Sequence, residues 1–181
     1  MASEEKLNEW ARKIYEVATE HGWHEEQHSN FHYLCLIMSE VAEMVEADRK
    51  RITDANLEGF RLLISKGHDF KSTYKDYIKG SRAEEMADVV IRILDMFNAF
   101  YEGSKLDMSK CFVRFNTNYT FPERAWYFTK EILGYSTKDI ANSIAYMYKW
   151  AEKLSIDLDT HIELKMKYNE LRSYKHGGKK Y

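Results

Sequence analysis

The stretch Ser81-Arg82-Ala83-Glu84-Glu85-Met86-Ala87-Asp88-Val89-Val90-Ile91-Arg92-Ile93-Leu94-Asp95-Met96-Phe97 decides how this chain folds. It holds no glycine or proline, and Ser81-x-x-Glu84 has the form of a capping box, in which two side chains satisfy free N–H groups of a first helical turn. A helix is predicted from Ser81 through Asp88, Ile91, Leu94, Phe97 and Phe100, with Gly103 as its left-handed stop. At about 100° per residue, Glu85, Asp88, Arg92 and Asp95 fall within a strip about 80° wide, and apolar residues fill most of the remaining circumference. A helix apolar nearly all round is a buried one. Its few charges then need partners, because an uncompensated carboxylate is costly to bury.

Working back toward the N-terminus, Phe31 to Arg49 reads as a second strong helix, with Leu34, Ile37, Met38, Val41 and Val45 on one face. Glu40 and Glu43 share a narrow strip of it. A first helix runs from Ser3 to about Thr19 on the spacing of Leu7, Trp10, Ala11, Ile14, Val17 and Ala18, and stops at His21-Gly22. Residues 50–80 carry an excess of lysine and arginine and a broken apolar pattern. They read as a basic connection with one short helix, and connections of this length are often functional.

Toward the C-terminus, residues 104–121 are irregular, Cys111 to Phe115 being the only strand candidate. Pro122 suits a helix closed by Gly134, Ser136-Thr137-Lys138-Asp139 starts another, and a last one runs from about Asp159 to Tyr174. The expected class is all-α, one domain over residues 1–181, with a basic insertion at about 50–80 and a helical one at about 103–153.

Composition agrees with this class and excludes others. The 181 residues include a single proline and 8 glycines, too few for the turns of a sandwich or barrel. With 29 acidic and 27 basic residues the net charge is −2, so no overall basic excess favours nucleic acid as a partner. Cys35 and Cys111 form neither a zinc spacing nor a disulfide framework, which fits a reducing compartment. No apolar run approaches the ~18–20 residues of a membrane span, and the charged start MASEEKLNEW is unlike a signal peptide. The expected location is cytoplasmic, without a membrane partner.

Two narrow acidic strips on two otherwise apolar helices suggest more than solvated faces. A divalent cation lets Glu40, Glu43, Glu85 and Asp88 converge without self-repulsion, and an all-oxygen set favours Mg²⁺ or Mn²⁺. Such an ion usually takes its remaining ligands from substrate phosphates. Lys165, Asn169 and Arg172, spaced four and three apart on one helical face, are candidate partners for those phosphates, as is Lys179. A solvated basic helix end is the plainer reading of the same residues. Arg92 and Asp95 read as a pair orienting the ligands or as a simple structural ion pair.

The blocks Ile37-Met38-Ser39-Glu40-Val41-Ala42-Glu43 and Glu84-Glu85-Met86-Ala87-Asp88, with the ending from Ile156-Asp157 through Lys165-Met166-Lys167-Tyr168-Asn169-Glu170-Leu171-Arg172 to Lys179, resemble the MazG-like all-α nucleoside triphosphate pyrophosphohydrolases. The three blocks, in order, cover about half the chain. The resemblance implies a homodimeric or homotetrameric helical bundle. It also implies Mg²⁺ held by Glu40, Glu43, Glu85 and Asp88, and hydrolysis of a nucleoside triphosphate between its α and β phosphates. Lys165, Asn169, Arg172 and Lys179 become the expected triphosphate contacts. Trp23 reads first as a boundary core aromatic and second as a platform for a base, and the basic connection as a lid. Two rival classes are a non-catalytic helical nucleotide-binding or interaction module and a di-iron carboxylate bundle. The latter needs two Glu-x-x-His motifs, and only Glu25 to His28 has that spacing.

Overall fold

The computed structural model describes residues 1–52, 55–109 and 111–178. Eight principal helices follow in order: α1 (Glu4–Glu20), α2 (Asn30–Arg49), α3 (Leu57–Ser65), α4 (Phe70–Tyr77), α5 (Arg82–Phe100), α6 (Phe121–Tyr127), α7 (Thr137–Lys153) and α8 (Leu158–Glu170). α6 runs on into a π-helical segment, Phe128–Ile132. No strand forms among the described residues, so the class is all-α. Cys111 to Phe115, the strand candidate, is irregular chain.

α5 is the axis of the bundle. Met86, Ala87, Val89, Val90, Ile93, Leu94, Met96 and Phe97 are all essentially inaccessible, as expected of a helix apolar on nearly every side. α1, α2, α7 and α8 pack around it. α7 contributes Ile140, Ile144, Met147 and Trp150 to the same core. Ser136 starts α7 with a complete capping box closed by Asp139, and Thr120 starts α6 with another closed by Glu123. Met38 and Phe100, expected inside, are exposed, Phe100 keeping an edge-on contact with Tyr33 of α2.

Residues 50–80 differ from expectation. In place of one short helix they form two, α3 and α4, which pack on each other. Asn56 and Asp69 cap them by accepting the N–H groups of Gly59 and Ser72. Tyr74 of α4 stacks on Tyr168 of α8 with ring centres 4.4 Å apart, and Phe60 and Ile78 complete a second small core. Lys71 Nζ donates to the carbonyl of Leu171 at 2.9 Å, and the Lys167 ammonium lies over the Phe70 ring. Within the stretch read as a lid, α4 is docked against α8.

The Ser81 cap also differs in half of its geometry. Ser81 Oγ accepts the Glu84 N–H as predicted. The Glu84 carboxylate does not return to Ser81; it accepts the Gly80 N–H at 2.5 Å and the Tyr74 hydroxyl at 3.1 Å. It has been drawn inward by a cation on α8.

Candidate metal and phosphate site

α2 and α5 cross so that their acidic strips face one another. Glu40 and Glu43 of α2 and Glu85 of α5 each offer a carboxylate oxygen, and these oxygens lie within 4.8 Å of one another. Glu40 and Glu85 are buried and Glu43 is exposed, so the cluster has a dry floor and an open side. It opens into a cleft of about 220 Å³ between α1, α5 and α8, which Asp88, Lys79, Asn169 and Arg172 also line.

Crowding of like charges shows in the acid strengths. Burial, then the neighbouring carboxylates of Asp88 and Glu84, pushes Glu85 up to about 8. Glu40 is also raised, first by burial and then by Asp88, with the Arg92 guanidinium opposing. Three oxygen donors close enough to share one ion, two of them buried carboxyls that ionise reluctantly, suit a hard divalent cation.

Asp88, the fourth acid of the pattern, reaches the same cleft but is engaged differently. Lys165 Nζ lies 2.5 Å from Asp88 Oδ2 and also donates to Glu84 Oε1. Burial pushes the Lys165 ammonium down, but Asp88 and Glu84 outweigh it and hold the group above its ordinary value. Lys165 is only 5% exposed. Lys165, expected as a triphosphate contact, lines the cleft, and its ammonium is engaged as an internal counter-ion that bridges two acids of α5 to α8.

Arg92 and Asp95 are likewise not a pair with each other. Arg92 Nε donates to Glu40 Oε1 at 3.0 Å, tying α5 to the cluster acid on α2. Asp95 Oδ1 lies 2.9 Å from His24 Nε2, whose other ring nitrogen is 3.0 Å from the Tyr33 hydroxyl. Sequence spacing missed this triad because its members come from three elements. It also missed Glu84 as the partner of Lys165. One signal was available: Glu84 falls only about 20° beyond Asp95, at the edge of the acidic strip, so helical geometry sets it beside the other acids, where a buried carboxylate needs a cation.

Asn169 and Arg172, the expected triphosphate contacts, line the cleft. The Asn169 Oδ1 atom is buried and has no hydrogen-bond partner, an acceptor left unspent in the cleft wall. The Arg172 backbone is held by His21, whose ring bridges the carbonyls of Val17 at 2.7 Å and Arg172 at 2.8 Å. Trp23 reaches the cleft margin with its ring edge-on to His176. Lys179 lies outside the described residues.

No family model, curated protein or solved structure matches this chain. The reading of the site therefore rests on its own geometry and chemistry.

Two outcomes follow. Replacing Lys165 by Met leaves Glu84 and Asp88 buried without their cation, and breaking a buried pair in this way costs about 3–5 kcal/mol. Urea unfolding of Lys165→Met should show a loss of that size, whereas a loss below about 1 kcal/mol would fit an exposed phosphate contact. The second concerns pH. Glu85 binds its proton more tightly folded than unfolded, so the folded state takes up more protons between about pH 4.5 and 8, and stability falls as pH rises through that window. In EDTA the melting temperature should drop from pH 5 to pH 8, and Glu85→Gln should flatten the slope; an unchanged slope would contradict the assignment.

Proposed function

We propose that the protein is a Mg²⁺-dependent nucleotide pyrophosphohydrolase that cleaves a nucleoside triphosphate between its α and β phosphates, giving a monophosphate and pyrophosphate. The observation that carries this reading is the convergence of Glu40, Glu43 and Glu85 in a cleft that Lys79 and Arg172 also line. The ordered resemblance of the three sequence blocks to MazG-like enzymes supports it.

The residues divide the work as follows. Glu40, Glu43 and Glu85 would hold the metal, with Asp88 beside them in the same cleft. When bound, Mg²⁺ would supply charge neutralisation of phosphate oxygens and Lewis-acid activation of water. Arg92 fixes the orientation of Glu40 and offsets part of the cluster's charge. Lys165 fixes Asp88 and offsets a further part. Lys79 and Arg172 bring positive charge to the cleft, where a triphosphate chain would lie. Asn169 Oδ1, unpartnered in the wall, would accept a hydrogen bond from a sugar hydroxyl. Glu43, the exposed member of the cluster, is the acid best placed to take a proton from an attacking water.

The test is a panel of nucleoside triphosphates incubated with Mg²⁺, with released phosphorus resolved into pyrophosphate and orthophosphate. Pyrophosphate with monophosphate is expected, lost at least about a hundredfold in Glu43→Ala, within the range for removal of a general base. No turnover of any triphosphate, or orthophosphate alone, would contradict the proposal.

A further inference from the structure

The Tyr33–His24–Asp95 chain has no part in holding the metal, yet it is built with care. In the neutral ring, Nε2–H of His24 donates to Asp95 Oδ1, which can only accept, and Nδ1 receives the Tyr33 hydroxyl. Tyr15 stacks on the His24 ring at 4.3 Å, and Tyr33 packs edge-on against Phe100 at 5.3 Å. The result is a carboxylate, 6% exposed, locked in orientation and set in the cleft wall. It accepts from His24 with one oxygen and keeps most of its roughly four acceptor positions.

Its location adds a ruler. Asp95 lies seven residues beyond Asp88 on α5, about 10 Å along the helix at 1.5 Å per residue. That separation is comparable to the reach from the α-phosphate of a nucleotide to the far edge of its base. Ile91, between the two acids on α5, and Ile14, Val17 and Ala18 of α1 also line the cleft, apolar surface suited to a flat ring.

A rigid carboxylate in a cleft that also presents this apolar surface selects a ring edge with two adjacent N–H donors. Guanine has that edge, N1–H beside the 2-amino group. Adenine and cytosine set one amino group beside an acceptor, and uracil and thymine flank one N–H with two carbonyl oxygens that a carboxylate repels. We infer that the Asp95 end of the cleft is a guanine-specific base pocket, with Asp95 accepting N1–H and the 2-amino group while His24 and Tyr33 hold it in place. This rests on the nucleotide reading above and names the substrate class as guanine nucleotides.

The experiment is calorimetric titration of GMP, IMP, AMP and UMP into the full chain, once with Mg²⁺ and once in EDTA. IMP lacks only the 2-amino donor, and a bidentate base contact of this kind is worth about tenfold or more in discrimination. GMP should bind at least about tenfold tighter than IMP and tighter still than AMP or UMP. Asp95→Asn should abolish the preference. Tyr33→Phe, which keeps the ring packing, should weaken the preference while the thermal melt still reports a folded protein. Glu43→Ala should keep the GMP-to-IMP ratio, since the base end is separate from the metal end.

Equal affinities for the four nucleotides, no binding of any of them, or a GMP preference that survives Asp95→Asn would overturn the inference. Failure of the parent reading looks different. A retained GMP preference, with no pyrophosphate formed from any triphosphate, would refute the hydrolase and support the pocket. Pyrophosphate release at equal kcat/KM from GTP, ATP and UTP would support the hydrolase and refute the pocket.

Discussion

Five carboxylates, Glu40, Glu43, Glu84, Glu85 and Asp88, are gathered where α2 crosses α5, and most of them are shielded from water. Like charges at this density repel, and their removal from water costs more than repulsion alone. The rest of the molecule is arranged around that constraint. Two cations of the chain offset part of the charge: Lys165 between Glu84 and Asp88, and Arg92 against Glu40. Glu85 has no cation in direct contact among the described residues, and burial with the neighbouring acids pushes it up to about 8. The charge that remains unbalanced is what a divalent ion would neutralise.

The need to hold Lys165 in place explains the architecture around α8. Its ammonium is useful only if α8 cannot slide along α5, and the α3–α4 hairpin fixes that register from the outside. Tyr74 contributes twice, stacking on Tyr168 and donating its hydroxyl to the same Glu84 carboxylate that Lys165 bridges. At the far end, His21 ties the chain after α8 back to α1. The cleft is thus framed by three attachments of α8, one ionic, one aromatic and one through a backbone carbonyl. Asp95, held by His24, lines the same cleft about 10 Å along α5 from Asp88.

The residues of α2 and α5 that meet were legible in the sequence because helical periodicity is a local rule. Glu40 with Glu43, and Glu85 with Asp88, fall on strips that follow from spacing alone, and the apolar remainder of α5 marked it as the central helix. Which helix faces which strip is not local. Lys165 and Asn169 share a face of α8, yet one ends as a buried counter-ion and the other as an unpaired acceptor in the cleft, a difference set by where α8 docks. The triad of Tyr33, His24 and Asp95 joins a helix, a loop and a second helix, and no spacing rule connects them. The basic connection was misread because its apolar residues serve a small private core with Tyr168, too short in each helix for periodicity to show.

The central claim is that the carboxylates at the α2–α5 crossing form one divalent-cation site. The most direct test is calorimetric titration of Mg²⁺, repeated with Mn²⁺ and followed by its paramagnetic resonance, into the wild type and into Glu40→Gln plus Glu85→Gln. The account predicts saturable binding in the wild type and its loss in the double variant, with the variant still folded by circular dichroism. Absence of binding in the wild type, or undiminished binding in the variant, would contradict it.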